Sequence, residues 1–206
     1  MLTRASSPRR SLPAALAAAF LLALAGCATP GAPPAVPPEA GPPNFWAGRF
    51  AATVTEAGDD AHQERSSGRF SLRVDGPRTE LELSSPLGQA IAQLQLDGER
   101  ATLVAADGKT WEAPSGEALT EQVFGWRVPL ANLPDWFEGR VAEPTERDGT
   151  RVVAGREHGW SVRIEANDAG RPRRLALDWP AAARPGERRL SLRLVIDSAV
   201  RLPGRP

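Results

Sequence analysis

Apolar and polar residues alternate with a period of two along most of the chain, the pattern of strands with one face buried and one wet. Trp46, Gly48, Phe50, Ala52 and Val54 fall on one face of a first such run. Phe70, Leu72 and Val74 alternate with Ser71 and Arg73, and Leu81 and Leu83 with Glu80 and Glu82. Ala90, Ala92, Leu94 and Leu96 oppose Gln89, Gln93 and Gln95. Trp160, Val162 and Ile164 follow, then Leu175, Leu177 and Trp179, and last Leu190, Leu192, Leu194 and Ile196. Asp75-Gly76-Pro77, Asp97-Gly98, Asp107-Gly108, Asp148-Gly149 and Ala169-Gly170 supply tight turns between the runs. Many short strands joined this way predict a mainly β fold, a meandering antiparallel sheet curled into a barrel or half-barrel. No repeat of 20 to 50 residues interrupts it.

Residues 115–139 break the alternation. Ser115 is placed to cap a helix that carries Leu119 and Val123 one turn apart and stops at Gly125. Asn132 is placed to cap a second, shorter helix with Asp135 in its first turn and Leu133, Trp136 and Phe137 as its apolar stripe. Pro134 is tolerated in that first turn, and Gly139 ends it. A helical insert between two blocks of strands is positioned to cover an open sheet.

The first residues obey a different logic. Arg4, Arg9 and Arg10 precede a short apolar run from Leu12 to Ala25, which ends in Leu24-Ala25-Gly26-Cys27. The run is shorter than the ~20 residues a membrane-spanning helix needs. It reads as a secretory signal ending in a bacterial lipobox, so residues 1–26 are expected to be cleaved and Cys27 to be lipidated. Cys27 is the only cysteine, and acylation gives a use to a thiol that has no internal partner. Arg9-Arg10 leaves twin-arginine export as an alternative to the general secretory route. Ala28, in place of an aspartate, points to the outer membrane as destination.

Residues 27–43 then form a Pro-rich tether, extended and about 50 Å long at most. A single domain is expected over 44–206, long enough for a sizeable core.

Loss of residues 1–26 removes three of the 25 basic groups and none of the 25 acidic ones, for a formal net charge of −3. A mildly acidic domain with scattered charge excludes nucleic acid as the expected partner. Catalytic signals are poor. His62 and His158 lie in polar turn or strand-end contexts, and the chain has no nucleophile elbow, phosphate-cradling loop or metal-spaced Cys/His set. Glu80 and Glu82 occupy the solvent side of a strand, although sequence alone does not exclude a glycosidase pair among the acids. No enzyme activity, cofactor or metal site is expected.

One turn stands out. Ser84-Ser85-Pro86-Leu87-Gly88 joins two strands and places a bare leucine where hairpin tips usually carry polar residues. Leu87 either folds back on the domain or projects to meet a membrane or an acyl chain.

Three segments carry a resemblance to a known family: Trp46 to Phe50 (Trp-x-Gly-basic-Phe), Leu83-Ser84-Ser85-Pro86-Leu87-Gly88, and Phe124 to Leu133 followed by Trp136-Phe137-Glu138-Gly139. In order and spacing they resemble the LolB family of outer-membrane lipoprotein receptors. The resemblance implies an incomplete antiparallel barrel round an apolar cavity, with short helices as a lid. It also implies a monomer, lipid-anchored in the outer membrane and facing the periplasm. Such a protein takes lipoproteins from the periplasmic carrier LolA and inserts their acyl chains into the bilayer.

Pro86, Leu87 and Gly88 match the family's membrane-insertion loop. The expected acyl-chain cavity is lined by inward residues of the strands and the insert. From the first strands these are Trp46, Phe50, Phe70, Leu72, Leu81, Leu83 and Leu94. The insert and later strands contribute Leu133, Trp136, Phe137, Trp160, Ile164, Leu177 and Leu192. The chain departs from the family in having no tyrosine and in carrying Ala199 where an aromatic is expected. A different reading is an accessory lipoprotein whose barrel is filled by its own side chains and binds nothing.

Overall fold

The computed structural model describes residues 39–56, 62–167, 169–180 and 187–204. The signal sequence, Cys27 and the tether as far as residue 38 lie outside the described residues.

Eleven strands form one antiparallel sheet: β1 (Phe45–Thr55), β2 (Gln63–Asp75), β3 (Arg78–Ser84), β4 (Ala90–Asp97), β5 (Arg100–Ala105), β6 (Thr110–Ala113), β7 (Glu143–Asp148), β8 (Arg151–Glu157), β9 (Trp160–Ala166), β10 (Pro172–Trp179) and β11 (Arg189–Val200). Their spatial order is β6-β5-β4-β3-β2-β1-β11-β10-β9-β8-β7. The first and last strands therefore pair in the middle of the sheet, from Phe45 opposite Val200 to Thr55 opposite Arg189. The two free edges are β6 and β7, which are neighbours in sequence on either side of the helical insert. The fold is thus an unclosed barrel, and the segment joining its open edges holds the helices α1 (Gly116–Phe124) and α2 (Leu133–Phe137), with a 3-10 turn at Leu130–Asn132.

Local chemistry places the insert as the sequence predicts, with one change. Ser115 caps α1 by accepting from the Ala118 N–H at 3.1 Å, and Gly125 ends it in the left-handed region at φ 74°. Asn132, however, has a helical backbone and no capping bond. Its side chain donates instead to Glu157 at the end of β8, at 2.6 Å. With its backbone already helical, Asn132 does not present its side-chain oxygen to the first turn, and its amide N–H turns to the carboxylate. Trp136 and Phe137 point inward from α2, and the Phe137 ring lies 5.9 Å from Trp46 and 5.7 Å from Phe70. Of the exposed edges, β7 is solvent-facing throughout, and its Glu143, Pro144, Glu146 and Asp148 deter pairing with another chain. The opposite edge is covered, because α1 packs against β5 and β6.

Two glycines of β1 and β2 let neighbouring backbone come unusually close. Gly48 lies opposite Phe70, and Phe50 opposite Gly68. A Cβ on Gly48 would stand 2.0 Å from the Val195 carbonyl oxygen, and one on Gly68 2.1 Å from that of Ser84. Only glycine admits this approach, and the facing phenylalanines lie over the gap that each glycine leaves. A register shift between Ala47 and Gly48 adds to the bend.

The tether expected over 27–43 is partly fixed to the barrel. Glu39 pairs with Arg201, and Asn44 exchanges two side-chain hydrogen bonds with Leu202, at 3.1 and 2.7 Å. The described chain therefore begins at the end of the barrel where β1 starts and β11 finishes.

Candidate functional site: an apolar cavity and an exposed leucine

Inward side chains of β1, β2, β3, β4, β10 and β11 meet the insert round a cavity of about 320 Å3. Phe50, Phe70, Leu81, Leu83 and Leu94 line one side, Leu177 and Leu192 another, and Leu133 and Phe137 of the insert close it. These nine are among the fourteen residues expected at a cavity. The other five, Trp46, Leu72, Trp136, Trp160 and Ile164, are buried in the core but do not line it. Indole N–H groups explain two of these placements. Trp160 donates to the Arg127 carbonyl of the insert at 3.0 Å and Trp136 to the Glu157 carboxylate at the end of β8 at 2.8 Å, so each ring is held toward a polar partner and away from the apolar space. The Trp46 N–H is buried with no partner among the described residues.

The sequence reading passed over further lining residues. Ala52, Val54, Leu190 and Leu194 share the strand parity of their named neighbours and were legible from it. Thr120, Phe124, Trp126, Val128 and Leu130 belong to the insert, where no period-2 signal marks a face. Thr120 is the one polar side chain buried here among the described residues, and it is satisfied within the insert. Its hydroxyl donates to the Glu117 carbonyl at 3.1 Å and accepts from the Val128 N–H at 3.0 Å. It therefore offers the cavity its methyl group. Such a lining selects for hydrocarbon, since a polar ligand would lose hydrogen bonds to water and regain none.

The rim is aromatic and cationic. Trp126 stacks edge-on to Trp179 at 5.5 Å, and the Arg188 guanidinium sits 4.0 Å over Trp126 while pairing with Glu56. Phe124, 43% exposed, reaches the same opening. A larger groove along β7, β8 and β9 is flanked by Arg147, Asp148, Arg151 and Glu165, and its charges unfit it for an acyl chain.

Leu87 projects. It is 90% exposed, the most exposed large apolar side chain among the described residues. The turn that carries it is tightly closed: the Gly88 N–H donates to the Ser85 carbonyl at 2.9 Å, the Ser85 N–H to the Gln89 carbonyl at 2.8 Å, and the Gln89 N–H to the Ser85 hydroxyl at 3.2 Å. Pro86 and Leu87 are its central residues, and Gly88 takes φ 86°. Leu83, on the strand leading into this turn, lines the cavity. The exposed leucine and the apolar space thus belong to one hairpin.

Perturbed titrating groups sit elsewhere. The Asp197 carboxyl is held below its ordinary range first by the hydrogen bond from Arg49, and Asp107 below its range by Lys109. Arg49 and Arg78 are raised by Asp197 and Asp97, respectively. None of these groups lines the cavity. No cluster of three metal-ligating side chains occurs among the described residues.

Residues 46–198 match the family described as "Outer membrane lipoprotein LolB". Among relatives carrying the name outer-membrane lipoprotein LolB, that of Bordetella petrii is 35% identical over 88% of this chain and 90% of its own length. That of Bordetella parapertussis is 36% identical over 92% of this chain and 94% of its own. The protein from Chromobacterium violaceum is 35% identical over 76% and 86%. With the unclosed barrel, the mid-chain helices and the exposed leucine hairpin already in place, these matches establish that the chain belongs to the LolB family of outer-membrane lipoproteins.

Proposed function

We propose that this protein is the outer-membrane receptor for lipoproteins: it accepts them from the periplasmic carrier LolA, shelters acyl chain in its cavity and inserts it into the bilayer at Leu87. The observation that carries this reading is the hairpin on which Leu83 faces the cavity and Leu87 faces out, 90% exposed. Hydrocarbon gains about 0.8 kcal/mol per methylene on leaving water, so a lipoprotein in transit needs an apolar host. Transfer without an energy source then runs toward whichever site holds the chain more favourably.

In this reading Cys27 carries lipid that fixes the protein, as a monomer, to the periplasmic face of the outer membrane. No helix among the described residues is long and apolar enough to cross a membrane. The chemistry is non-covalent, and neither metal nor cofactor takes part. A chain without Cys27 is expected to accept lipoproteins still, but to deliver them with poorer targeting.

The test is transfer of a labelled lipoprotein from LolA to the purified acylated protein, and then to outer-membrane vesicles. Stoichiometric uptake followed by appearance of label in the vesicles supports the proposal; label that stays with LolA refutes it. A barrel filled by its own side chains would bind no fluorescent fatty acid, and the cavity of about 320 Å3 speaks against that alternative.

A further inference from the structure

The cavity is smaller than a long acyl chain. A methylene takes up about 30 Å3, close to the share of a water in the liquid, so a space of about 320 Å3 holds about eleven of them. A longer chain, or a second one, must displace part of the wall. Most of that wall is β1, β2, β3, β4, β10 and β11 of one hydrogen-bonded sheet, where moving a strand would break its ladder. The rest is the helical insert, which among the described residues is held to the barrel by side-chain bonds and packing. The insert is therefore the part that can yield.

Its fastenings are unequal. Toward β8 the Glu157 carboxylate, 11% exposed, takes bonds from Asn132, Trp136 and the Ala142 N–H. Buried Trp160 donates to the Arg127 carbonyl at 3.0 Å, and Phe137 packs on Trp46 and Phe70. The corner Phe124–Trp126, at the end of α1, is held differently. The Trp126 ring meets the edge of Trp179 and lies 4.0 Å under the Arg188 guanidinium. Arg188 also lies against Gly125, where a Cβ would stand 3.0 Å from its Nη1. Its Nε donates to Glu56, the residue after β1, at 3.3 Å. One guanidinium thus ties the corner of the insert to the end of β1. The other charged pair here, Arg127 with Glu121, closes within the insert and ties nothing to the barrel. Arg188 and Glu56 are 43% and 45% exposed. An exposed cation–π contact and an exposed ion pair together favour one conformation by about threefold to tenfold, far less than a buried charged network does.

The weak corner is also where the cavity opens. Val54, Ser66 and Phe124 line it and are half-buried or exposed, at the end of β1, the start of β2 and the end of α1. We propose that Arg188 is the latch of the acyl-chain entrance. Hydrocarbon beyond what the closed cavity holds enters as Trp126 leaves Arg188 and swings out with Phe124. Closed, the corner keeps the apolar lining from water between cargoes; open, it admits what the closed cavity is too small to hold. This rests on the reading of the cavity as an acyl-chain site given above.

The experiment uses the full acylated chain in phospholipid nanodiscs and has two readouts. The first, backbone hydrogen exchange, needs no ligand. Arg188→Ala should speed exchange across Phe124–Val128 by about threefold to tenfold, and Glu56→Gln should do so to a lesser degree. Asn132–Ala142, which Glu157 holds, should not change in either. Arg188→Lys, which keeps the cation, should exchange close to the parent. The second readout is the initial rate of uptake of a labelled lipoprotein from LolA, which should rise by a similar factor in Arg188→Ala. Salt at about 0.5 M should narrow that difference, because it weakens an ion pair that only the parent has. Unchanged exchange in Arg188→Ala, with normal uptake by the parent, would refute the latch alone. Exchange that rises equally in both segments would make Arg188 a general support of the fold and overturn the proposal. Faster exchange at Phe124–Val128 with unchanged uptake would overturn entry at this corner. No uptake even by the parent would refute the receptor reading, and the entry role of Arg188 with it.

Discussion

Trp136 of α2 donates its indole N–H to the carboxylate of Glu157 at 2.8 Å, and this bond ties the helical insert to the end of β8. The same carboxylate accepts from the Asn132 side chain at 2.6 Å and the Ala142 N–H at 3.0 Å, and its side chain is only 11% exposed. The insert spans the open edges of the barrel, so one acid holds the cover in place by three charge-assisted bonds.

Removing that acid leaves three donors without an acceptor while Trp136 stays buried. Glu157→Ala is expected to cost about 2–4 kcal/mol in urea unfolding, the range for breaking a buried charged network. Glu157→Gln, which keeps the shape and one acceptor oxygen, should cost less. An alanine variant within about 0.5 kcal/mol of the parent, a shift typical of surface substitutions, would show that the insert is held by packing alone.

Gly48 of β1 allows a sharper test. A Cβ at position 48 meets the Val195 carbonyl oxygen at 2.0 Å and the Phe70 ring at 3.0 Å, and a backbone atom cannot swing aside. Gly48→Ala should therefore cost about 3 kcal/mol or more, or prevent folding at 37 °C, as read from the urea midpoint. A change below about 1 kcal/mol would mean that the coil relaxes freely.

The cavity can be filled from within. Leu192 lines it and is only half-buried, so Leu192→Trp has space to occupy. Stability should change by less than about 1.5 kcal/mol, as for tolerated core exchanges. Affinity for a fluorescent fatty acid should fall at least tenfold. Unchanged affinity in the folded variant would place the acyl site elsewhere.

The alternation from Trp46 to Val54 and from Leu190 to Ile196 marks the central pair of strands because one face is buried and the other wet. β7 left no such trace: Glu143–Asp148 buries no side chain and is held by main-chain pairing to β8. β6, four residues long, was equally silent. The helix ends were legible from Ser115 and Gly125, but Asn132 was misread as a cap because its partner, Glu157, lies 25 residues away. Parity separates inside from outside but not cavity from packed core. It grouped Trp46 and Leu72 with Phe50 and Phe70, although only the latter pair reaches the empty space. The paired edges and the insert make that distinction, and no local pattern encodes them.

The acid limb of stability has a defined sign. Asp197 is held below its ordinary range by Arg49, so its contribution is complete above the usual carboxylate range and is lost as pH falls through the lowered value. Both side chains are about half exposed, at 42% and 58%, so the effect is small and weakened by salt. Urea midpoints of the parent and Asp197→Asn should differ slightly at pH 6 and converge below pH 3. A gap that widens toward acid would contradict the pairing.

Leu87→Glu separates acceptance from insertion. The side chain is 90% exposed and makes no core contact, so folding and uptake from LolA should be unchanged within about twofold. Insertion should not survive. Burial of leucine in hydrocarbon contributes about 2 kcal/mol, and a carboxylate there adds a penalty of about the same order. With tenfold in rate for every 1.4 kcal/mol, delivery to vesicles should slow by about three orders of magnitude. Loaded receptor would then accumulate, with lipoprotein still in the cavity. Leu87→Phe, apolar and larger, should deliver normally, which ties the loss to charge rather than to any change at the turn. Delivery by the glutamate variant at the parent's rate would remove Leu87 from the mechanism and leave the cavity alone to account for transfer.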